Sequence, residues 1–175
     1  VIAYGDESVF PLVGAAIIAG MVVAAFLAPV LLRRVSARAV AVGSALASAV
    51  VSTTMWFVGF ADIVGLVACI LVNGLTLGLF LVVQATMIAD AVDDAERRTG
   101  VRSDGLSFAT LTFVSKIMTA LSLLVFGLFV AGAGYEAGVE VTPAMQQAVF
   151  VAITLVPAAS ALLSAIPFAL VRLGP

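Results

Sequence analysis

The sequence contains no histidine and a single cysteine, Cys69. Without histidine there is no His-based zinc site, no His-ligated haem and no Ser-His or Cys-His catalytic pair. One cysteine inside an apolar run provides neither a disulfide framework nor a metal set. Charge is scarce too: Asp, Glu, Lys and Arg make up 10% of the chain, against about 25% in a soluble domain. A net charge of −2 gives no reason to expect a nucleic-acid partner. Lysine is nearly missing, with Lys116 the only one.

What remains is oil. Hydrophobic residues make up 63% of the chain and the mean hydropathy is +1.27. A soluble globule of that composition could not clothe its surface, so the chain reads as an all-α, polytopic helical bundle in the lipid bilayer. A hydrocarbon core of about 30 Å needs roughly 20 apolar residues in a helix. Five runs meet this: Phe10–Leu32, Ala39–Phe60, Ile63–Val92, Leu106–Gly132 and Met145–Val171. They must be helices, because a spanning segment has to satisfy its own backbone in lipid. Pro143 is placed to begin the last span near its first turn, and Pro157 in its middle predicts a kink. Gly14, Gly20, Gly65, Gly74 and Gly78 lie inside spans, where small residues let helices approach closely.

Arginine sets the orientation. Arg33, Arg34 and Arg38 lie in the first link, Arg97, Arg98 and Arg102 in the third, and Arg172 follows the last span. Alternating spans put all seven on one side, the cytoplasm. The other side receives Asp6, Glu7, Asp62, Glu136 and Glu140. The expectation is a multi-pass protein of the cell inner (plasma) membrane, with residues 1–9 external and the C-terminus cytoplasmic. Val1–Tyr4 reads as the end of an earlier helix. The chain is therefore expected to be the C-terminal part of a larger protein, five full spans and the end of a sixth.

A few polar residues interrupt the oil. Lys116 lies eleven residues beyond Gly105, a depth of roughly 16 Å. A lysine there costs about 2.5 kcal/mol or more unless water or a partner attends it. It either faces a polar cavity, the preferred reading, or pairs with an acid supplied from outside this chain. Thr112 and Thr119, one turn to either side, share its face. On the third span Asn73, Leu77, Phe80 and Gln84 form a second polar-marked stripe. For Asn73 and Gln84, contact with a substrate stands beside plain interhelical bonding. Trp56 reads as an interface anchor.

Residues 89–105, ADAVDDAERRTGVRSDG, hold five acids and three arginines. Asp90, Asp93 and Glu96 share a face at a helix C-terminus, whose dipole disfavours carboxylates. They need cations, and Arg97, Arg98 and Arg102 are at hand. Gly100 and Gly105 are expected to bracket a turn. The run is either a solvated loop or a cytoplasmic gate closed by ion pairs among Asp90, Asp93, Glu96, Arg97 and Arg102.

This stretch resembles a signature of the glycoside–pentoside–hexuronide:cation symporters, the melibiose permease-like family of the major facilitator superfamily. The resemblance rests on Ala89, Asp90, Asp93, Glu96, Gly100, Arg102, Asp104 and Gly105. Thr112 four residues before Lys116, then Gly134 and Tyr135, Gln147 and Pro157 continue it. Asp94 stands where the pattern has a tyrosine, and Leu81 where an aromatic would stack on a galactoside. The resemblance implies the C-terminal half of a transporter that couples Na+ or H+ to a sugar or glycoside by alternating access. It places Lys116 and Thr112 near the substrate and cation, Gln84 at the same cavity, and residues 90–102 in the inner gate. The acids that bind the coupling ion would lie in the missing N-terminal half, and no metal, further cofactor or enzymatic activity is implied. Two alternatives stand beside it: a lysolipid or other amphiphile carrier of the same fold, and a non-transporting membrane scaffold or sensor.

Overall fold

The computed structural model describes residues 9–59, 62–132, 134 and 142–170. Asp6, Glu7, Phe60, Tyr135, Glu136, Glu140, Val171 and Arg172 lie outside the described residues, as does Val1–Tyr4. The chain forms α1 (Val9–Leu32), α2 (Ala37–Val58), α3 (Ile63–Thr99), α4 (Asp104–Gly132) and α5 (Pro143–Leu170), and no strand among the described residues. All five are long and apolar enough to cross a membrane.

Local chemistry sets the helix ends. Ser36 caps α2, its Oγ accepting from the N–H of Ala39 at 3.3 Å. Asp62 caps α3, accepting from the N–H groups of Val64 and Gly65 at 3.0 and 3.1 Å. Thr142 accepts from the Met145 N–H at 3.3 Å and is followed by Pro143 as the first helical residue, where a missing N–H costs nothing. The helix runs on through Pro157. Gly100 ends α3 at φ 73°, its N–H bonded to the Glu96 carbonyl at 2.8 Å. That left-handed conformation suits glycine.

The third helix outruns its apolar run, as the shared helical face of Asp90, Asp93 and Glu96 requires. α3 does not stop at Val92 with the apolar run but continues to Thr99. In its last turns Ala95, Glu96, Arg97 and Arg98 favour a helix in water, offsetting the weaker Asp93, Asp94 and Thr99, and Arg98 adds an i,i+4 pair to Asp94 at 2.9 Å. Hydropathy marks where a helix leaves the membrane, not where it ends. The connection to α4 is therefore only residues 100–103, and Gly105 lies in the first turn of α4 instead of closing a bracketed turn.

α3 is the central helix, packed against α1 on one side and α2 on the other, with α5 on α2. Contact at Gly74 with Ile17 and at Gly78 with Met21 and Ala24 rises in step along both chains, so α1 and α3 run parallel. At Gly20 and Gly74 an added Cβ would run into the backbones of Leu71 and Ile17, and at Gly78 it would sit 2.6 Å from the Ala24 methyl. Glycines let these two backbones touch. Ala24, Ala28 and Val83 beside them are fully buried. Gly65, by contrast, sits against its own cap Asp62, and Gly14 faces open space.

α2 runs antiparallel to its neighbours. Trp56 stacks on Phe150 at 5.4 Å near one end, so it serves as an α2–α5 contact. At the other end Arg38 donates to the Ala169 carbonyl, a cation on the C-terminal dipole of α5. The starts of α2 and α4 and the ends of α1, α3 and α5 thus share one end of the bundle, and the described arginines gather there.

Candidate functional site

α4 touches the bundle only lightly, at α3 and α5, and none of its residues is buried. It turns Leu111 and Val114 toward α3, and Met118, Ser122 and Val125 toward α5. Lys116 lies two residues from both Val114 and Met118, about 200° round the helix from either. It therefore projects from the opposite face, exposed, with no ion pair among the described residues. Thr112 and Thr119 flank it on that face. Their hydroxyls donate to the carbonyls of Phe108 and Ser115 at 2.9 and 2.8 Å, which leaves their oxygens able to accept. One ammonium and two hydroxyls at turn spacing can bind a polyhydroxylated molecule or a carboxylate.

Asn73 is elsewhere. Its Oδ1 accepts from Ser48 at 3.0 Å and its Nδ2 donates to the Ser52 hydroxyl at 3.2 Å, joining α3 to α2. The amide also borders an apolar cavity of about 360 Å³ together with Ile17, Met55 and Leu77. Gln84, half-buried, lies three turns further along α3 and makes no hydrogen bond among the described residues. The structure thus places Lys116 with Thr112 and Asn73 with two serines, and does not bring the two groups together. Ser48 and Ser52 were not singled out from the sequence, although their four-residue spacing is a signal for them. Replacing Asn73 by Leu should lower stability by about 0.6–2 kcal/mol, checked as a melting-temperature drop that Gly14→Ala does not share.

At the arginine end, Arg102 is the hub. It donates to Glu96 at 2.9 Å, lies 3.4 Å from Asp93 and also binds Asp104, the first residue of α4. The hydrogen bond to Asp104, then the nearby charges of Asp104 and Glu96, hold its guanidinium above an already high pKa. It stays charged at any physiological pH, so protonation cannot switch the cluster from the arginine side. All four side chains are about half exposed, so water screens these pairs and they add little to stability. Asp90 and Arg97 make no ion pair among the described residues. Of the proposed gate residues, three meet at one point.

The described residues thus form a bundle of five helices long and apolar enough to span a membrane, with a lone exposed lysine on α4 and a charged cluster at one end. The chain belongs to the family described as MFS/sugar transport protein, which it matches over residues 3–174. It is 34% identical to the inner membrane symporter YicJ of Escherichia coli (strain K12) over 119 residues. That match covers 67% of this chain and 26% of the relative's length. The resemblance read from residues 89–105 holds. No solved structure matches the chain.

Proposed function

We propose that the chain is the C-terminal bundle of a cation-coupled secondary transporter of sugars or glycosides, working by alternating access with Na+ or H+ as the coupling ion. The observation that carries this is Lys116 with Thr112 and Thr119 on the face of α4 turned away from α3 and α5. In a transporter of two halves, that face lines the central cavity, and the other half supplies the opposite wall and the acids for the cation. Gln84, without a hydrogen bond among the described residues, is assigned to the same substrate pathway, whereas Asn73, bonded to Ser48 and Ser52, ties α3 to α2. The family match and the symporter relative support the reading. Proteoliposomes holding the full-length transporter should accumulate one of a panel of radiolabelled hexoses, pentoses and glycosides under an inward Na+ or H+ gradient. Uptake indifferent to both gradients would remove the coupling, and displacement of substrate by lysolipid alone would move the cargo to amphiphiles.

Asp93, Glu96 and Arg102, with Asp104, act as the cytoplasmic gate, flanked by Asp90 and Arg97. Arg102→Gln removes the cation that three acids share. Stability should change little, since the pairs are exposed and screened by water. A cysteine at Ser115, in a Cys69→Ser background, should nonetheless label faster from the cytoplasmic side. Unchanged labelling and transport rate would reduce the cluster to a solvated helix end.

A further inference from the structure

The short link between α1 and α2 and the first turn of α2 carry Arg33, Arg34 and Arg38 and no acid. Leu31 and Leu32 pack beside Val83 and Met87, so these arginines stand at the same end as the acids of α3. None of them pairs with those acids: Asp93, Asp94 and Glu96 are engaged within their own stretch by Arg98 and Arg102, and Asp90 makes no ion pair among the described residues. Arg38 is occupied on the Ala169 carbonyl. Arg33 and Arg34 are left exposed, with no ion pair among the described residues. Directly below them on α1 lie Val30, Phe26 and Val23, at spacings of three and four residues. These are strongly exposed, Phe26 to 78%. Two free guanidinium groups at the head of an apolar stripe match an amphiphile with an anionic head.

We propose that Arg33 and Arg34 hold the phosphate of an anionic phospholipid, with an acyl chain along Val30, Phe26 and Val23. A guanidinium meets a phosphodiester through paired N–H donors, and the membrane edge, one residue beyond Leu32, is where lipid phosphates sit. The proposal depends on α1 crossing the membrane and not on what the protein transports.

The test uses the full-length transporter, purified in detergent and titrated with phosphatidylglycerol or phosphatidylcholine. Native mass spectrometry counts bound lipid, and melting temperature reports stabilisation. The wild type should bind phosphatidylglycerol in preference to phosphatidylcholine. Arg33→Gln with Arg34→Gln should bind it about tenfold or more weakly, Arg33→Lys with Arg34→Lys should keep most of the binding, and Arg97→Gln should keep all of it. Phe26→Ser with Val30→Ser should weaken phosphatidylglycerol as well, which tests the stripe if the glutamine pair fails to fold. Millimolar inorganic phosphate should not compete. Full competition by phosphate would make this a free-anion site and overturn the lipid assignment. Equal affinity for the two lipids, as expected if these arginines serve only topology or meet an acidic segment of the other half, would overturn it too. So would a glutamine pair that binds like the wild type.

Discussion

Full-length transporter carrying Lys116→Met should insert, fold and melt like the wild type, yet lose cation-coupled uptake by roughly 10- to 100-fold. The magnitude follows from losing a charged hydrogen bond to the cargo, about 1.5–3 kcal/mol. Folding should be spared because Lys116 makes no ion pair among the described residues and lies on the open face of α4. Methionine keeps the length of the side chain and suits lipid. Lys116→Arg keeps the charge but replaces a compact ammonium with a planar fork, so it should be impaired as well. If an acid of the other half is the true partner, Lys116→Met strands that acid, and expression and melting temperature should fall together. Neutralising the acid should then restore both. Uptake, expression and melting temperature measured on the same variants separate the two outcomes. Normal coupled uptake by Lys116→Met would remove the lysine from the mechanism and, with it, the central observation for a site in this bundle.

The second large effect is structural. Gly74→Leu should abolish most folded protein. The added Cβ alone would run into the backbone of Ile17, and Gly20 faces Leu71 and Gly74 in the same tight contact. A flexible side chain can move away from such a clash, but a helix backbone moves only by separating α1 from α3. Overpacking costs about 1–3 kcal/mol even where side chains can yield, so Gly74→Ala should be destabilised by that much and Gly74→Leu by more. Gly14→Ala and Gly127→Ala are the controls, since both face open space. Yield of monodisperse protein and melting temperature are the measurements, and a Gly74→Leu protein indistinguishable from the controls would contradict the close α1–α3 approach.

The spans were legible because lipid imposes its demands locally. An apolar run of sufficient length has to be a helix, whatever surrounds it, and the five runs coincide with α1 to α5 to within a few residues except at the end of α3. Hydropathy missed that end because it reports the solvent and not the backbone; the shared face of Asp90, Asp93 and Glu96 and the helix formers Ala95 to Arg98 were the signals that carry the helix beyond Val92. The first-turn position of Pro143 was readable from local chemistry. Which glycines matter was not: Gly14 and Gly74 look alike in sequence, and only the neighbouring helix distinguishes them. Similarly, the stripe of Asn73 and Gln84 was visible as polarity, but the bonds of Asn73 to Ser48 and Ser52 depend on the rotation of α2. The motif over residues 89–105 carried the family, and four of its charged members, Asp93, Glu96, Arg102 and Asp104, do converge on one another, because that part of the pattern spans only twelve residues.

The unbroken course of α3 also makes it a lever. Glu96 lies 23 residues beyond Asn73 on one helix, about 35 Å of rigid rod. A tilt of about 10° at the Asn73 end would sweep the Glu96 end through roughly 6 Å by this geometry, twice the length of a hydrogen bond. Arg102 joins that moving tip to Asp104, the first residue of α4. Any such tilt either breaks the clasp or drags the start of α4, the helix that bears Lys116, along with it.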